Sequence, residues 1–331
     1  MRVVHAVVTE AFAGTERYVL DVATAQAALG WDITVIAGDP IRQRLGPAVT
    51  WRPGGTVASA LRSASALRRV DVAHAHLTYG ELALSSTSRL HGGRVLATRH
   101  LATPRGRSRV GRVLRPFIER RLSAELAISS YVSQAVSNGR IPVLHNGVSP
   151  QERVKPEVST TIVIAQRLER EKATGLGLAA WFASALPAAG WHLVVAGQGS
   201  ERSELEQQCG GDPAGASVTF RGQVHDMDAL YADAALLLAP APAEPLGLTV
   251  LEAMARGLPV VAAAGGGHRE TLVSQPMLMF EPGDVAEASA ALNVFLSPDV
   301  RKRVGGELQR VQREYFDLDR HVAALAEHYR D

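Results

Sequence analysis

Short apolar runs alternate with amphipathic helical patterns along the first half of the chain. This pattern predicts strands at 3–8, 33–37, 71–75, 94–98 and 126–129, and helices at 15–29, 81–90 and 110–122. Strands that alternate with helices form right-handed crossover units. The first half therefore predicts a parallel sheet with helices packed on its faces.

The same alternation begins again after a turn-rich stretch at 146–157. Strands are predicted at 161–165, 192–196, 218–221, 234–239 and 259–263, with a helix at 176–186 and an amphipathic helix at 317–330. The expected fold class is α/β, with two Rossmann-like, doubly wound domains at 1–148 and 149–313, followed by a terminal helical segment at 314–331.

Composition narrows the class of protein further. Of the 331 residues, 46% are hydrophobic and 21% are charged, which is typical of globular domains. Cys209 is the sole cysteine, so no internal disulfide can form and a reducing compartment is favoured. No apolar run is long enough for a membrane span or a signal peptide. We therefore expect a soluble, cytoplasmic protein.

The small net charge of +2 hides an uneven distribution. Residues 1–150 carry 19 arginines against 9 acidic residues, whereas the remainder carries 16 basic and 24 acidic residues. This difference indicates two units that meet different partners, although a compositional preference for arginine would also produce it. Aromatic residues are absent from most of the arginine-rich stretch between Arg99 and Arg121, which argues against a nucleic-acid surface.

The strongest chemical pattern lies at 241–270, where Glu244 precedes a predicted helix and Glu252 lies within it. Pro245-Leu-Gly-Leu248 brings a helix N-terminus and an open glycine backbone to one point, which suits phosphate oxygens. Carboxylates on either side of such a point can accept hydrogen bonds from sugar and ribose hydroxyls. Two solvated glutamates on a capped surface helix are the simpler alternative.

This passage resembles the E-x7-E region of the retaining, family-four glycosyltransferases and the glycine-rich continuation that follows it. The resemblance implies the GT-B fold, in which two Rossmann-like domains flank a cleft and the terminal helix crosses back to the N-terminal domain. It implies that Glu252 binds the ribose and Glu244 the sugar. The backbone of Leu246, Gly247 and Leu248 would meet the diphosphate.

The stretch 162–172 resembles a second motif of this family and implies that Arg167 and Lys172 enter the donor site. Two cations there would stabilise the leaving diphosphate in place of a metal ion. This chain has Gln166 and Ala173 where the family usually has glycine. Because the cations of Arg167 and Lys172 would take the place of a metal ion, we expect no metal and no cofactor beyond the nucleotide-sugar substrate.

Weaker resemblances extend the expected site. Gly197 and Gly199 match a glycine loop at the nucleotide edge, and Val224 lies in the segment whose backbone meets the base. In the first half, Gly14 matches a loop that approaches the diphosphate, and Thr15 and Glu16 follow on the acceptor side.

Histidines end two of the predicted strands. His100 resembles the histidine that this family places over the donor sugar, and we expect it to bind or orient that sugar. His74 and His76 end another strand, where a structural role competes with an acceptor-side role for His76.

Together these motifs imply a retaining, metal-independent transfer from a nucleotide-diphosphate sugar, with UDP favoured by its frequency in the family. The acceptor would be a glycan, a lipid-linked molecule or a small natural product. Arginines 105–121 would contact an anionic membrane at its inner face, or form a solvated helix surface instead. Alternatives are a nucleotide-sugar epimerase, a phosphorylase, a non-catalytic binding protein, and a nicotinamide oxidoreductase, for which the expected glycine motif after the first strand is missing.

Overall fold

The computed structural model describes residues 1–106, 109–224 and 226–330, without the side chains of 109–111. The chain divides into two compact units, one formed by 1–147 with 318–331 and the other by 148–317. The terminal helix thus belongs to the first unit.

The first unit contains one parallel six-stranded sheet in the order β3-β2-β1-β4-β5-β6. Its strands are β1 (Arg2–Val7), β2 (Asp32–Ala37), β3 (Val49–Pro53), β4 (Val72–His76), β5 (Arg94–Arg99) and β6 (Leu122–Ala127). Its helices are α1 (Gly14–Ala28), α2 (Asp39–Arg42), α3 (Val57–Ser65), α4 (Leu77–His91), α5 (Arg109–Glu119), α6 (Ser130–Ser137) and the terminal α14 (Leu318–Arg330).

The second unit repeats this topology in the order β12-β11-β10-β7-β8-β9. Its strands are β7 (Thr161–Ala165), β8 (His192–Ala196), β9 (Val218–Gly222), β10 (Leu236–Ala239), β11 (Val260–Ala263) and β12 (Met279–Phe280). Its α-helices are α7 (Thr174–Ala183), α8 (Arg202–Gly210), α9 (Met227–Ala232), α10 (Leu248–Ala255), α11 (His268–Thr271), α12 (Val285–Asn293) and α13 (Pro298–Tyr315). The prediction of two doubly wound α/β units is confirmed.

The cores follow from the apolar strand sequences. In the first unit, one cluster packs α1 and α14 against one sheet face, with Val19, Val22, Val322 and Leu325 buried between them. A second cluster on the opposite face includes Leu84 of α4. Central parallel strands are covered on both faces and therefore carry nearly continuous apolar runs.

Two local predictions are wrong at the edge of the first sheet. The helix predicted at 110–122 ends at Glu119, and the strand predicted from 126 begins at Leu122. β6 is the edge strand and only its last residues are buried. Its sequence therefore lacks a long apolar run, and its first residues resemble the end of a helix.

The topology determines where ligands can bind in each unit. In an open parallel sheet, ligands bind beyond the carboxyl ends of the strands where the strand order reverses. That point lies between β1 and β4 in the first unit and between β7 and β10 in the second. The loops that follow these four strands therefore form the candidate sites.

Candidate functional site

The centre of the candidate site in the second unit is an ion pair between the loops that follow β7 and β10. Lys172 Nζ donates to Glu244 Oε2 at 2.5 Å, and both side chains are largely buried, with 16% and 21% exposed. Lys172 ends a short 3-10 turn at Arg170–Lys172, and Glu244 lies shortly before α10. The structure thus joins two residues that the sequence predicted for one site.

The first turn of α10 lies directly beside this pair. Gly247 precedes the helix with φ of 96°, a left-handed conformation that favours glycine, and a Cβ at this position would lie 2.9 Å from the His268 ring. Leu246 is buried, whereas Leu248 is half-buried and begins the helix. The first N–H groups of such a helix can bind phosphate oxygens.

His268 is a site residue that sequence reasoning missed. Its Nδ1 lies 3.1 Å from the Ala263 carbonyl oxygen, to which it donates, so Nε2 of the neutral ring carries a lone pair. Burial lowers the pKa of His268, and the Glu244 carboxylate partly opposes that shift. In the sequence, its position directly after the three glycines at 265–267 was the feature that could have indicated a place in the site.

The three glycines allow the loop after β11 to touch the loop that carries Glu244. Gly267 N–H donates to the Glu244 carbonyl at 2.7 Å, and a Cβ on Gly266 would lie 2.2 Å from the same oxygen. Any side chain at Gly266 would push Glu244 away. The glycine run therefore positions Glu244 by close packing of two backbones.

Glu252 lies on the second turn of α10 and is half-buried. The Tyr231 hydroxyl of α9 shares its one proton between Glu252 Oε2, at 3.3 Å, and the Thr249 carbonyl oxygen, at 3.4 Å. The carboxylate therefore has a buried phenol beside it before any ligand arrives. Its predicted contact with ribose stays a prediction.

The remaining donor-side residues occupy the neighbouring loops. Arg167 is exposed, and its guanidinium donates to Glu171 Oε1 at 2.7 Å, so it does not join the Lys172–Glu244 pair. A Cβ on Gly197 would lie 1.8 Å from the Gln166 carbonyl oxygen, and a Cβ on Gly199 would lie 2.1 Å from the Leu168 carbonyl oxygen. These glycines bring the loops after β7 and β8 together. Val224 is half-buried beyond β9.

The two departures from the family pattern have structural consequences. The Gln166 side chain donates to the Lys172 carbonyl and to Thr174 Oγ1, both at 2.9 Å, and so holds the loop that presents Lys172. Ala173 has φ of 50°, which is unfavourable for a residue with a Cβ. Its left-handed conformation explains why glycine suits this position.

In the first unit, Gly14, predicted to approach the diphosphate, and the predicted acceptor-side residues Thr15 and Glu16 differ in their exposure. Gly14 is exposed and begins α1, and Thr15 next to it is half-buried. The Glu16 carboxylate is buried and accepts the Ala13 N–H at 2.8 Å, which caps the helix. Glu16 thus has a structural role whatever else it binds.

His76 and His100 lie together at the carboxyl ends of β4 and β5. His76 Nδ1 lies 3.0 Å from His100 Nε2, and both side chains are buried. Burial lowers the pKa of His100 to about 3 and that of His76 well below its usual value, so both rings are neutral at pH 7.

The arginine-rich stretch is only partly exposed. Arg105 is buried and pairs with Glu81 and Glu125, and Arg99 donates to Glu81 at 3.3 Å. These two arginines belong to a buried ionic network, so Arg105 is not exposed for the membrane contact that was predicted for arginines 105–121. Arg112, Arg115 and Arg120 of the following segment are exposed, whereas the side chains of Arg107 and Arg109 lie outside the described residues.

Three comparisons with known proteins agree with this arrangement. Residues 12–152 match the family described as Glycosyltransferase Family 4, and residues 159–297 match the family described as Glycosyl transferases group 1. A sulfoquinovosyl transferase of Arabidopsis thaliana is 32% identical over 38% of this chain and 25% of its own length.

A GDP-mannose-dependent phosphatidylinositol dimannoside mannosyltransferase of Mycobacterium tuberculosis is 30% identical over 40% of this chain and 34% of its own length. The matches therefore span about a quarter to a third of these relatives. The solved structure of HepE from Anabaena with UDP and glucose superimposes with a TM-score of 0.81 and 19% identity, covering 99% of both chains. Its likeness shows the GT-B fold of this chain. The two family matches, which together cover most of both units, show that the chain belongs to the glycosyltransferases of family 4 and group 1.

Proposed function

We propose that the chain transfers a sugar from a nucleotide-diphosphate sugar to a hydroxyl group of an acceptor, with retention of the anomeric configuration and without a divalent metal. The observation that carries the proposal is the Lys172–Glu244 pair at 2.5 Å beside the first turn of α10. It combines a cation, a carboxylate and free helical N–H groups, which a sugar diphosphate requires.

Each group has a distinct part in the proposed reaction. The Lys172 ammonium and the first N–H groups of α10 stabilise the negative charge that develops on the departing diphosphate. Glu244 accepts hydrogen bonds from sugar hydroxyls, and Glu252 accepts them from the ribose. Arg167 would leave Glu171 to become a second cation at the diphosphate.

Retention is proposed through attack on the face that the diphosphate leaves. The bond between the anomeric carbon and the diphosphate oxygen breaks while the acceptor oxygen bonds to the same face of that carbon. The acceptor proton passes to the departing phosphate oxygen. His100 supports this step by accepting a hydrogen bond from a hydroxyl of the reacting sugar.

The donor is best sought among UDP and GDP sugars. The Anabaena structure was solved with UDP and glucose, and the mycobacterial relative is named as GDP-mannose-dependent. UDP-glucose is therefore the first donor to test. Glycans, lipid-linked molecules and small natural products form the acceptor panel.

The test measures nucleotide release and the product anomer in the presence of excess chelator. We expect nucleoside diphosphate release that depends on acceptor, an anomeric configuration equal to that of the donor, and most activity kept with EDTA. An absolute need for Mn²⁺ would contradict metal independence. Isomerised sugar formed without acceptor would indicate an epimerase, and consumption of inorganic phosphate a phosphorylase.

A further inference from the structure

One nitrogen of the His268 imidazole has no hydrogen-bond partner in the part of the chain that the structure describes. Nδ1 donates to the Ala263 carbonyl oxygen at 3.1 Å, whereas Nε2 makes no hydrogen bond to the described residues. The residue is only 2% exposed. A polar atom in so buried a residue costs free energy unless it has a partner, so we expect Nε2 to find one in a ligand or in solvent.

The ring lies against the start of α10, beside the Lys172–Glu244 pair. A Cβ on Gly247 would lie 3.0 Å from Nε2 and 2.9 Å from Cδ2, so this edge of the ring faces the residue that precedes α10. Gly267, next to His268 in sequence, donates its N–H to the Glu244 carbonyl at 2.7 Å. Nε2 therefore belongs to the same site as the Lys172–Glu244 pair.

Nε2 is the open end of an otherwise enclosed ring. It is not among the fully enclosed side-chain nitrogens and oxygens that lack a partner in the described ranges 1–106, 109–224 and 226–330. Since none of these residues bonds to it either, part of its surface is accessible. Glycine at 247 helps to keep it uncovered, because any side chain there would contact this edge of the ring.

The charge state of His268 determines which ligand group Nε2 can bind. Burial lowers the pKa of His268, Glu244 and the bond to Ala263 partly oppose that shift, and Lys172 adds to it. Because the pKa lies below its ordinary value of about 6.5, the ring is neutral at pH 7.5. The Ala263 carbonyl oxygen can only accept, so the proton is on Nδ1. Nε2 is therefore a hydrogen-bond acceptor.

An acceptor at this place discriminates between the parts of a nucleotide-diphosphate sugar. The ionised diphosphate oxygens can only accept hydrogen bonds, so they cannot satisfy the lone pair on Nε2. The ribose hydroxyls are expected at Glu252, one turn further along α10. The group that can donate beside Glu244 is a hydroxyl of the transferred sugar.

We propose that His268 Nε2 accepts a hydrogen bond from one hydroxyl of the transferred sugar and makes that hydroxyl a requirement for the donor. Glu244 accepts from another hydroxyl of the same sugar. A sugar that is deoxygenated or O-alkylated at the position facing His268 leaves Nε2 unpaired, and it should bind about tenfold more weakly. The inference rests on the proposed function in that the ligand is a nucleotide-diphosphate sugar, but it does not require that the sugar be transferred.

Two substitutions separate Nε2 from the nitrogen that supports the ring. His268→Asn can place an amide N–H near the position of Nδ1 and keep the bond to the Ala263 carbonyl, but it has no atom at the position of Nε2. His268→Gln reaches that position with an oxygen that accepts. Calorimetry at pH 7.5 measures the affinities for UDP and UDP-glucose, and for GDP and GDP-mannose. The ratio of the two affinities within each pair is the readout, because damage to the folded state alone would weaken both ligands alike.

The nitrogen at Nε2 should matter only for the sugar. We expect His268→Asn to weaken binding of the sugar nucleotide about tenfold and to leave binding of the nucleoside diphosphate within about twofold of the wild-type value. His268→Gln should retain most of the affinity for the sugar nucleotide. His192→Asn, at an exposed position of β8, is the matched control and should leave both affinities unchanged.

Deoxy analogues of the tighter-binding donor identify the hydroxyl, each analogue lacking one hydroxyl of the sugar. We expect one analogue to bind the wild-type protein about tenfold more weakly than the intact donor, yet to bind His268→Asn as well as the intact donor does, because the contact is already lost there. The analogue whose hydroxyl meets Glu244 should be weakened in both proteins.

Long-range ¹H–¹⁵N spectra of the histidine-labelled wild-type protein check the contact without a substitution. We expect the proton of His268 on Nδ1, and a shift of its Nε2 signal on addition of the sugar nucleotide that the nucleoside diphosphate alone does not cause. A proton on Nε2 in the free protein at pH 7.5 would overturn the proposal.

The binding data can also contradict it. Equal weakening of nucleotide and sugar nucleotide in His268→Asn would indicate a contact with the nucleotide or a purely structural role, and deoxy losses that the substitution leaves unchanged would exclude the contact. If sugar transfer is detected with either of these results, only this inference fails. If the affinities change as expected but no acceptor receives sugar, only the proposed function fails. A wild-type protein that binds no nucleotide sugar would overturn both.

Discussion

At the scale of single residues, the candidate site depends on charged side chains that have partners in the protein before a ligand arrives. The Tyr231 hydroxyl lies 3.3 Å from Glu252 Oε2, and Glu244 accepts Lys172 Nζ at 2.5 Å. Such preorganisation reduces the entropy that must be lost on binding. The exposed Arg167, paired with Glu171, must reorient in order to contribute.

Glu252→Gln should weaken nucleotide binding at least about tenfold. A carboxylate that accepts hydrogen bonds from two ribose hydroxyls makes charge-assisted bonds of about 1.5–3 kcal/mol each, and the amide weakens both. Calorimetry with UDP and GDP measures this loss. Glu206→Gln is the control, because Glu206 is an exposed glutamate of the same unit paired with Arg202. Unchanged affinity for both nucleotides would remove Glu252 from the site.

Ala173 offers a separate test of how the Lys172 loop is held. Its φ of 50° is unfavourable for alanine and suits glycine. Ala173→Gly should therefore raise the free energy of unfolding by about 0.5–1 kcal/mol, even though glycine has more freedom in the unfolded chain. Urea unfolding measures the change. Ala189 is exposed and its φ is not positive. Ala189→Gly should therefore lower the free energy of unfolding, because glycine only adds freedom to the unfolded chain there.

At the scale of elements, the sequence predicts the central strands best. β7 and β8 were predicted with their observed bounds, because buried parallel strands are apolar runs that end in turns. The edge strand β3 and the long helix α13 were not predicted, although Ser297 caps α13 and Pro298 begins it. Edge strands and polar helices carry weaker periodic signals, since fewer of their residues are buried.

The motifs of the second unit were predictable because their residues lie close together in sequence. The buried hydrogen bonds around the histidines of the first unit were not, because they join distant segments of the chain. Tyr18 and His321, which hydrogen-bond at 2.9 Å, are 303 positions apart. Only the packing of α14 against α1 brings them together. His5 alone gave a local signal, as a polar residue within the apolar run of β1.

At the scale of the whole first unit, the buried histidines should make stability depend on pH. Burial lowers the pKa of His5 and His321 to about 4, below the unfolded value of about 6.5. Between these values the unfolded chain binds more protons, so this stability is complete above about pH 7 and is lost as the pH falls toward 4. The raised pKa of Glu16 acts in the opposite direction.

Comparison with variants isolates the histidine contribution. From pH 7 to pH 5, each such histidine should lower the free energy of unfolding by about 2 kcal/mol. His5→Gln should therefore lose less stability than the wild-type protein over this range, measured by urea unfolding at both pH values. His192→Gln, at an exposed position of β8, should behave as the wild type. Equal losses in His5→Gln and wild type would show that His5 does not titrate as described.

The uneven charge of the chain leads to a prediction about membranes. Residues 1–150 carry 19 arginines and 9 acidic residues. Arg112 and Arg115 of α5 are exposed, as is Arg120, which directly follows the helix. Val113, in the same helix, is 79% exposed. Among the described residues, no helix has the length and apolarity to cross a bilayer. We propose that α5 instead contacts anionic lipid headgroups, as basic surfaces with exposed apolar residues do.

Charge reversal on α5 tests this contact. Arg112→Glu combined with Arg120→Glu should reduce binding to vesicles that contain phosphatidylserine by at least about tenfold, since each basic residue near such a surface contributes about 1 kcal/mol. The affinity of the wild-type protein should fall with added salt, because exposed charges are screened beyond about 8 Å at physiological ionic strength. Nucleotide binding should be unchanged, because Lys172, Glu244 and Glu252 lie in the other unit. The matched control is Arg310→Glu with Arg313→Glu on α13, which changes the net charge equally on the second unit. Equal losses of vesicle binding in both variants would mean that net charge alone governs binding. If the wild-type protein does not bind vesicles at low salt, α5 is a solvated helix, and a small, neutral acceptor is favoured.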